Sequence, residues 1–104
     1  MERVAWKLVL KDGKKAEYKK RHDEIWPEMT EVLNEAGIHN YTVWNVDNHL
    51  FGYYEVEDVA YCNKVLAESE VVDRWNNYME DVIYVELDPN TGTVKALELM
   101  FYHK

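Results

Sequence analysis

Tyr18, His22 and Trp26 recur every four residues. If one helix runs through all three, that spacing stacks a phenol, an imidazole and an indole along one face. Imidazole is the side chain whose unperturbed pKa, about 6.5, lets it give or take a proton near neutrality. The face therefore offers proton chemistry between flat aromatic surfaces, although the same stripe also suits plain core or interface packing. Tyr41, Trp44, Tyr53, and Trp75 with Asn76 extend the set. Rings with polar edges suit a sugar, whose C–H faces stack on indole or phenol while its hydroxyls need hydrogen-bond partners. Core filling is the competing reading for Trp44, Tyr53 and Trp75.

Other chemistries lack their residues. The 104-residue chain has no phosphate-cradling glycine loop, no cysteine pair for zinc, and neither an H-E-x-x-H nor a G-x-S-x-G string. Its four histidines, His22, His39, His49 and His103, fall in different predicted elements, so no metal set is expected. Cys62, the only cysteine, excludes an internal disulfide and reads as a small hydrophobe on a helix. Twelve Lys and Arg against twenty Asp and Glu leave a net charge of −8, which repels a phosphate backbone and makes nucleic acid and anionic lipid poor partners. A small neutral or cationic ligand is the better match. The charge is uneven. Residues 1–21 hold eight basic groups against three acids, and the rest hold four against seventeen. A solvated basic helix face accounts for this most simply.

The elements that must position these residues can be read from periodicity. Residues 3–10 alternate, with Val4, Trp6, Leu8 and Leu10 on one side, as in a half-buried strand. Asp12 is placed to cap a charged helix, and Pro27 breaks it and suits the first turn of another. So two short helices should meet near Trp26. Ile25, Met29, Val32, Leu33 and Ala36 form an apolar stripe that stops at Gly37. Residues 40–46 and 50–57 read as a hairpin with about three turn residues, Asp47, Asn48 and His49. A helix is expected over 58–66, then one capped by Ser69 whose apolar face runs from Val71 through Trp75 and Met79 to Val82 and Ile83. Residues 87–92 are turn-rich, and 94–102 read as a last strand.

This order predicts one α+β domain over 1–104, with a ferredoxin-like antiparallel sheet carrying helices on one face. The other face would keep alternate aromatic and aliphatic residues, a patch that needs a cover. A second copy of the same sheet is a self-complementary one, giving a homodimer and a barrel-like cavity. No stretch approaches the roughly 20 apolar residues that span a bilayer and none resembles a signal peptide, so a cytoplasmic protein without a membrane partner is expected.

The run from Tyr18 through Arg21, His22, Asp23, Glu24, Ile25, Trp26 and Pro27 to Glu28, then Gly37 to Tyr41, and later Arg74-Trp75 with Tyr78-Met79, closely resembles the L-rhamnose mutarotase family. The likeness covers nearly the whole chain, and Y-x-x-x-H-x-x-x-W-P-E is its most specific string. The resemblance implies a homodimeric α+β barrel that interconverts the α and β anomers of L-rhamnose without a cofactor. By position, His22 matches the family's proton donor, and Tyr18, Tyr41 and the Trp75-Asn76 pair match its sugar contacts. The chain departs from the pattern in two places. Asn76 stands where a second tryptophan is usual, and the turn Asp88-Pro89-Asn90-Thr91-Gly92 differs from the family's N-P-D-N-S-P. Both bear on sugar identity more than on reaction type.

Anomer exchange moves one proton off the anomeric hydroxyl and one onto the ring oxygen, so positioned acid–base groups suffice. His22 is expected to serve the ring oxygen, as acid on opening and base on closure. The complementary base is unassigned. Two other readings stay open on the residues alone: a monooxygenase of the dimeric α+β barrel class, and a noncatalytic sugar-binding module.

Overall fold

In the computed structural model, which describes residues 1–104, the chain forms β1 (Glu2–Leu10), α1 (Lys15–Asp23), α2 (Pro27–Glu35), β2 (His39–Val46), β3 (His49–Val56), α3 (Val59–Glu68), α4 (Glu70–Met79) and β4 (Ile83–Tyr84). The four strands make one antiparallel sheet in the order β2-β3-β1-β4, the expected ferredoxin-like arrangement. Alternation decides which side of it is wet. Trp6, Leu8 and Leu10 of β1 share a face with Leu50, Gly52, Tyr54 and Val56 of β3, and all seven are buried against the helices. Met29 and Ala36 near the ends of α2, Cys62 of α3, and Trp75 and Met79 of α4 complete that core.

Local chemistry sets most boundaries. The β2–β3 hairpin turns on two residues, Asp47 and Asn48, with φ of +50° and +68°, the type I′ geometry that matches strand twist. His49 is thus the first residue of β3, not part of the turn. Gly37, at φ +77°, closes α2 with its own N–H on the Asn34 carbonyl and that of Ile38 on the Leu33 carbonyl, a Schellman stop. Asp58 and Ser69 cap α3 and α4 by accepting from the N–H groups of Tyr61 and Val72. Asp12 does not cap α1. A turn at Gly13 delays that helix, and Lys14 takes the cap position without a side-chain bond.

Two expectations near the C-terminus are corrected. α4 ends at Met79, so Val82 and Ile83 do not extend its face. The chain turns at Val82, whose carbonyl accepts from the Lys11 N–H, and Ile83 pairs with Leu10 as β4. Here an unpaired edge of β1 outweighs helical periodicity. Residues 94–102 do not form a strand. They touch the sheet through one bridge, Ala96 opposite Trp6, and one hydrogen bond from the Leu97 N–H to the Ala5 carbonyl at 2.7 Å. Beyond it Leu99, Met100 and Phe101 are exposed.

Candidate active site

α1 and α4 build one wall of a cavity of about 880 Å³, within the range of roughly 300–1,000 Å³ usual for small-molecule sites. Tyr18 and His22, one turn apart on α1, stack with centroids 4.2 Å apart and planes at 29°. Trp75 of α4 meets the His22 ring edge-on at 5.3 Å, and Asn76 beside it also lines the cavity. Trp26 does not continue the α1 stripe, because the helix stops at Asp23. It caps α2 instead and packs edge-on against Trp75 at 5.1 Å, supporting the indole from behind the site. Arg21 ties the two helices together: its guanidinium donates to Glu17, to both carboxylate oxygens of Asp81 and to the Tyr78 carbonyl, over a face of the Tyr78 ring.

Burial holds the His22 imidazole below its ordinary 6.5, against smaller upward pulls from the Tyr18 carbonyl and Asp23. The carbonyl oxygen of Tyr18, 3.1 Å from Nδ1, can only accept, so Nδ1 carries the hydrogen. The resting ring is therefore neutral, with Nε2 left as the basic nitrogen. Burial also raises the Tyr18 phenol well above its ordinary value, which makes it a hydrogen-bond partner and not a base.

The sheet supplies the facing wall through Trp6, Tyr41 and Tyr54. Tyr41 faces inward with Val43 and Asn45 of the same strand, and β2 carries a bulge at this end. His39 and Thr42 lie opposite Glu55 and Tyr53, so one extra residue is accommodated between them. Asn40 absorbs it at φ +51°, and its amide donates to Glu55 at 2.6 Å. Tyr41 keeps 38 % of its surface exposed, yet its hydroxyl lies 3.0 Å from Nε1 of buried Trp6, so the polar end is the enclosed one. Burial pushes that phenol up to about 12.

Five residues singled out from sequence, Tyr18, His22, Tyr41, Trp75 and Asn76, thus line one cavity. Trp44 and Tyr53 neither fill the core nor reach inward. Trp44 is 69 % exposed, on the outer side of β2, and borders the cavity, while the Tyr53 hydroxyl donates to Glu55 on that outer side. Cys62 is buried in the core, where burial raises its thiol. His39, His49 and His103 are exposed, and none lies on α1 with His22 or lines the cavity. Trp6 and Tyr54 escaped the sequence reading, but Gly52 carried a signal for the first of them. A glycine inside a strand otherwise rich in aromatic and aliphatic residues marks a close approach, here by the Trp6 indole.

A family model described as L-rhamnose mutarotase matches residues 3–103. An L-rhamnose mutarotase of Listeria monocytogenes is 44 % identical over 105 residues, covering 98 % of each chain, and one of Lachnoclostridium phytofermentans is 38 % identical, covering 99 % of this chain and 98 % of its own. The crystal structure of an L-rhamnose mutarotase from Formosa agariphila superposes with a TM-score of 0.78 at 32 % identity, covering the whole of both chains. A tetracenomycin F2 cyclase from Streptomyces glaucescens, at 12 % identity and TM-score 0.70, shares the fold. With the family model spanning nearly every residue and relatives this similar over their full length, the chain belongs to the L-rhamnose mutarotase family.

Proposed function

We propose that this protein is an isomerase that interconverts the α and β anomers of L-rhamnose, an epimerisation at the anomeric carbon, with His22 as the catalytic residue. The observation that carries the proposal is a neutral imidazole, its Nδ1–H held by the Tyr18 carbonyl, in the wall of an aromatic cavity with room for a monosaccharide. Such a ring takes the proton of the anomeric hydroxyl on Nε2 as the bond between C1 and the ring oxygen breaks. It then delivers that proton to the ring oxygen. The two oxygens share one carbon, so a single imidazole reaches both, and no net proton is gained or lost. The free aldehyde turns about C1–C2, and the reverse transfers close the ring on its other face. His22 is thus an acid toward the ring oxygen on opening and a base on closure. A second protein base is not required for the balance.

Trp75 and Tyr18 offer flat surfaces to the sugar's C–H faces, and Tyr41 and Asn76 offer polar contacts to its hydroxyls. The largely apolar lining suits a deoxy sugar, whose methyl group needs no partner. Saturation-transfer NMR on L-rhamnose tests the reading: magnetisation should pass between the α and β anomeric signals faster with the protein than without it. Binding that shifts those signals while leaving exchange at the spontaneous rate would select a noncatalytic module instead.

The outer face of the sheet supports the companion proposal of a homodimer. Trp44, Val46 and Tyr84 are more than half exposed there, with Phe51 beside them, a patch that a second copy would cover. The cytoplasm is the proposed compartment, in keeping with an unpaired cysteine.

A further inference from the structure

The indole of Trp6 does an unusual thing in this sheet: it crosses a strand. Trp6 sits on β1, its hydrogen-bond partner Tyr41 on β2, and β3 runs between them. The residue of β3 directly opposite Trp6 is Gly52. A Cβ at Gly52 would lie 2.0 Å from Cε2 and 2.3 Å from Nε1 of the indole, so the ring's pyrrole edge rests on glycine backbone where any side chain would stand. Trp6 is 6 % exposed, and its Nε1–H ends 3.0 Å from the Tyr41 hydroxyl oxygen.

An indole nitrogen donates and never accepts. Its hydrogen therefore occupies a lone pair of the Tyr41 oxygen and turns the phenolic O–H away from itself. No acceptor on the chain takes that O–H. We propose that Trp6, laid across Gly52, is a positioning residue that fixes the Tyr41 hydroxyl as a donor into the cavity, aimed at an acceptor oxygen of the bound sugar. The inference rests on the mutarotase reading for the identity of the ligand, and adds the means by which one contact is oriented. A hydroxyl free to rotate would serve as donor or acceptor alike and discriminate less between sugars.

Two experiments separate this proposal from the function it builds on. In a ¹H–¹⁵N spectrum the Trp6 indole signal, assigned by its loss in Trp6→Phe, should move upfield in Tyr41→Phe, which has no oxygen to accept. An unmoved signal overturns the hydrogen bond whatever the protein catalyses. In the anomer-exchange assay, Trp6→Phe and Tyr41→Phe should each raise KM about 3- to 10-fold with kcat little changed, the scale of one hydrogen bond made equally before and during reaction. The double variant should be no worse than Tyr41→Phe alone if Trp6, though part of the wall, affects the sugar through that oxygen. Losses that multiply, or a Trp6→Phe enzyme with wild-type KM, would sink the proposal. An absence of anomer exchange in the wild type is instead a failure of the functional reading, and the same cycle is then read from the Kd for L-rhamnose.

Discussion

The rings of His22 and Trp75, carried by α1 and α4, meet at 88° with centroids 5.3 Å apart, so an aromatic edge contact bridges the two helices at the cavity wall. His22 is also stacked by Tyr18, so the imidazole is packed against two rings. Substituting His22→Gln keeps much of the volume and an amide for the Tyr18 carbonyl, but removes the nitrogen that exchanges a proton. Anomer exchange should fall about 10²- to 10⁴-fold, the contribution of a positioned acid–base group. Thermal unfolding should change little. A variant that equilibrates rhamnose at the wild-type rate would remove His22 from the mechanism.

The same burial predicts the pH dependence. The active ring is the neutral one, and its folded-state pKa lies below 6.5. Activity should be level at neutral pH and fall only as pH drops through that lowered value, with a midpoint on the acid side of 6.5. Stability follows the same direction. The unfolded chain binds the proton more readily, so the contribution of buried neutral His22 is complete above pH 6.5 and is lost toward the folded value. An activity profile whose acid limb lies above 6.5 would contradict the buried, neutral imidazole.

Arg21 gives a prediction about the frame and not the chemistry. Its side chain is 12 % exposed and joins α1 to the end of α4. Arg21→Met keeps most of the apolar stem while removing every donor. Thermal unfolding should shift down by several degrees. The hydrogen bond from Arg21 holds the Asp81 carboxyl below its ordinary 3.8, so this contribution is present above the usual Asp range and is lost as pH falls through the lowered folded value. The stability difference between wild type and Arg21→Met should therefore narrow in strong acid. A constant difference across that window would assign the loss to packing alone.

Gly52→Ala should be more damaging than its chemistry suggests. The added methyl would overlap the Trp6 indole at 2.0 Å, with strand backbone behind it, so the ring must move. Overpacking of this kind typically costs about 1–3 kcal/mol, or roughly 4–8 °C in Tm per kcal/mol for a domain of this size. Calorimetry on the variant measures it. Since Trp6 is the group displaced, the Trp6→Phe/Gly52→Ala pair should recover part of the loss. Equal unfolding temperatures for Gly52→Ala and wild type would mean that the indole does not rest there.

The parts legible in the sequence share a physical reason, as do those that were not. Strand β1, the α2 stripe, and the Asp58 and Ser69 caps are local patterns, decided by neighbours within a few residues. Tyr18 and His22 are one helical turn apart, so their stacking was written in their spacing. The fate of Ile83 was not local: its place in β4 depends on β1 having an unpaired edge at Leu10, 73 positions away in sequence though adjacent in space. Residues 94–102 meet β1 only at Ala96 and Leu97, a limit that their own alternation does not contain. Tyr41 shares the inward parity of Val43 and Asn45, but beyond it Asn40 takes a left-handed conformation that sets His39 outward opposite Glu55, and a strand read by strict alternation has no place for such a bulge. Alternation groups Trp6 with Val4, Leu8 and Leu10, but its reach across Gly52 is a relation between two strands that periodicity within one strand does not contain.

The exposed face of the sheet yields the last prediction. Trp44 of β2 stands opposite Phe51 of β3 on the outer side, with Trp44 69 % and Phe51 38 % exposed, and Val46 a further residue pair along. A contiguous aromatic patch of this kind is costly in water, whereas a two-fold partner would bury it against its own copy. Trp44→Glu places a charge at that point, and two copies would face each other across it. Sedimentation equilibrium should therefore report about twice the 12.4 kDa chain mass for the wild type and a shift toward one chain mass for the variant. Because Tyr18, His22, Tyr41, Trp75 and Asn76 all come from one chain, the monomeric variant should still speed anomer exchange. If it sediments as a monomer and loses activity while remaining folded, the partner subunit contributes to the site. If the wild type is itself monomeric, the patch has another occupant and the dimer proposal fails.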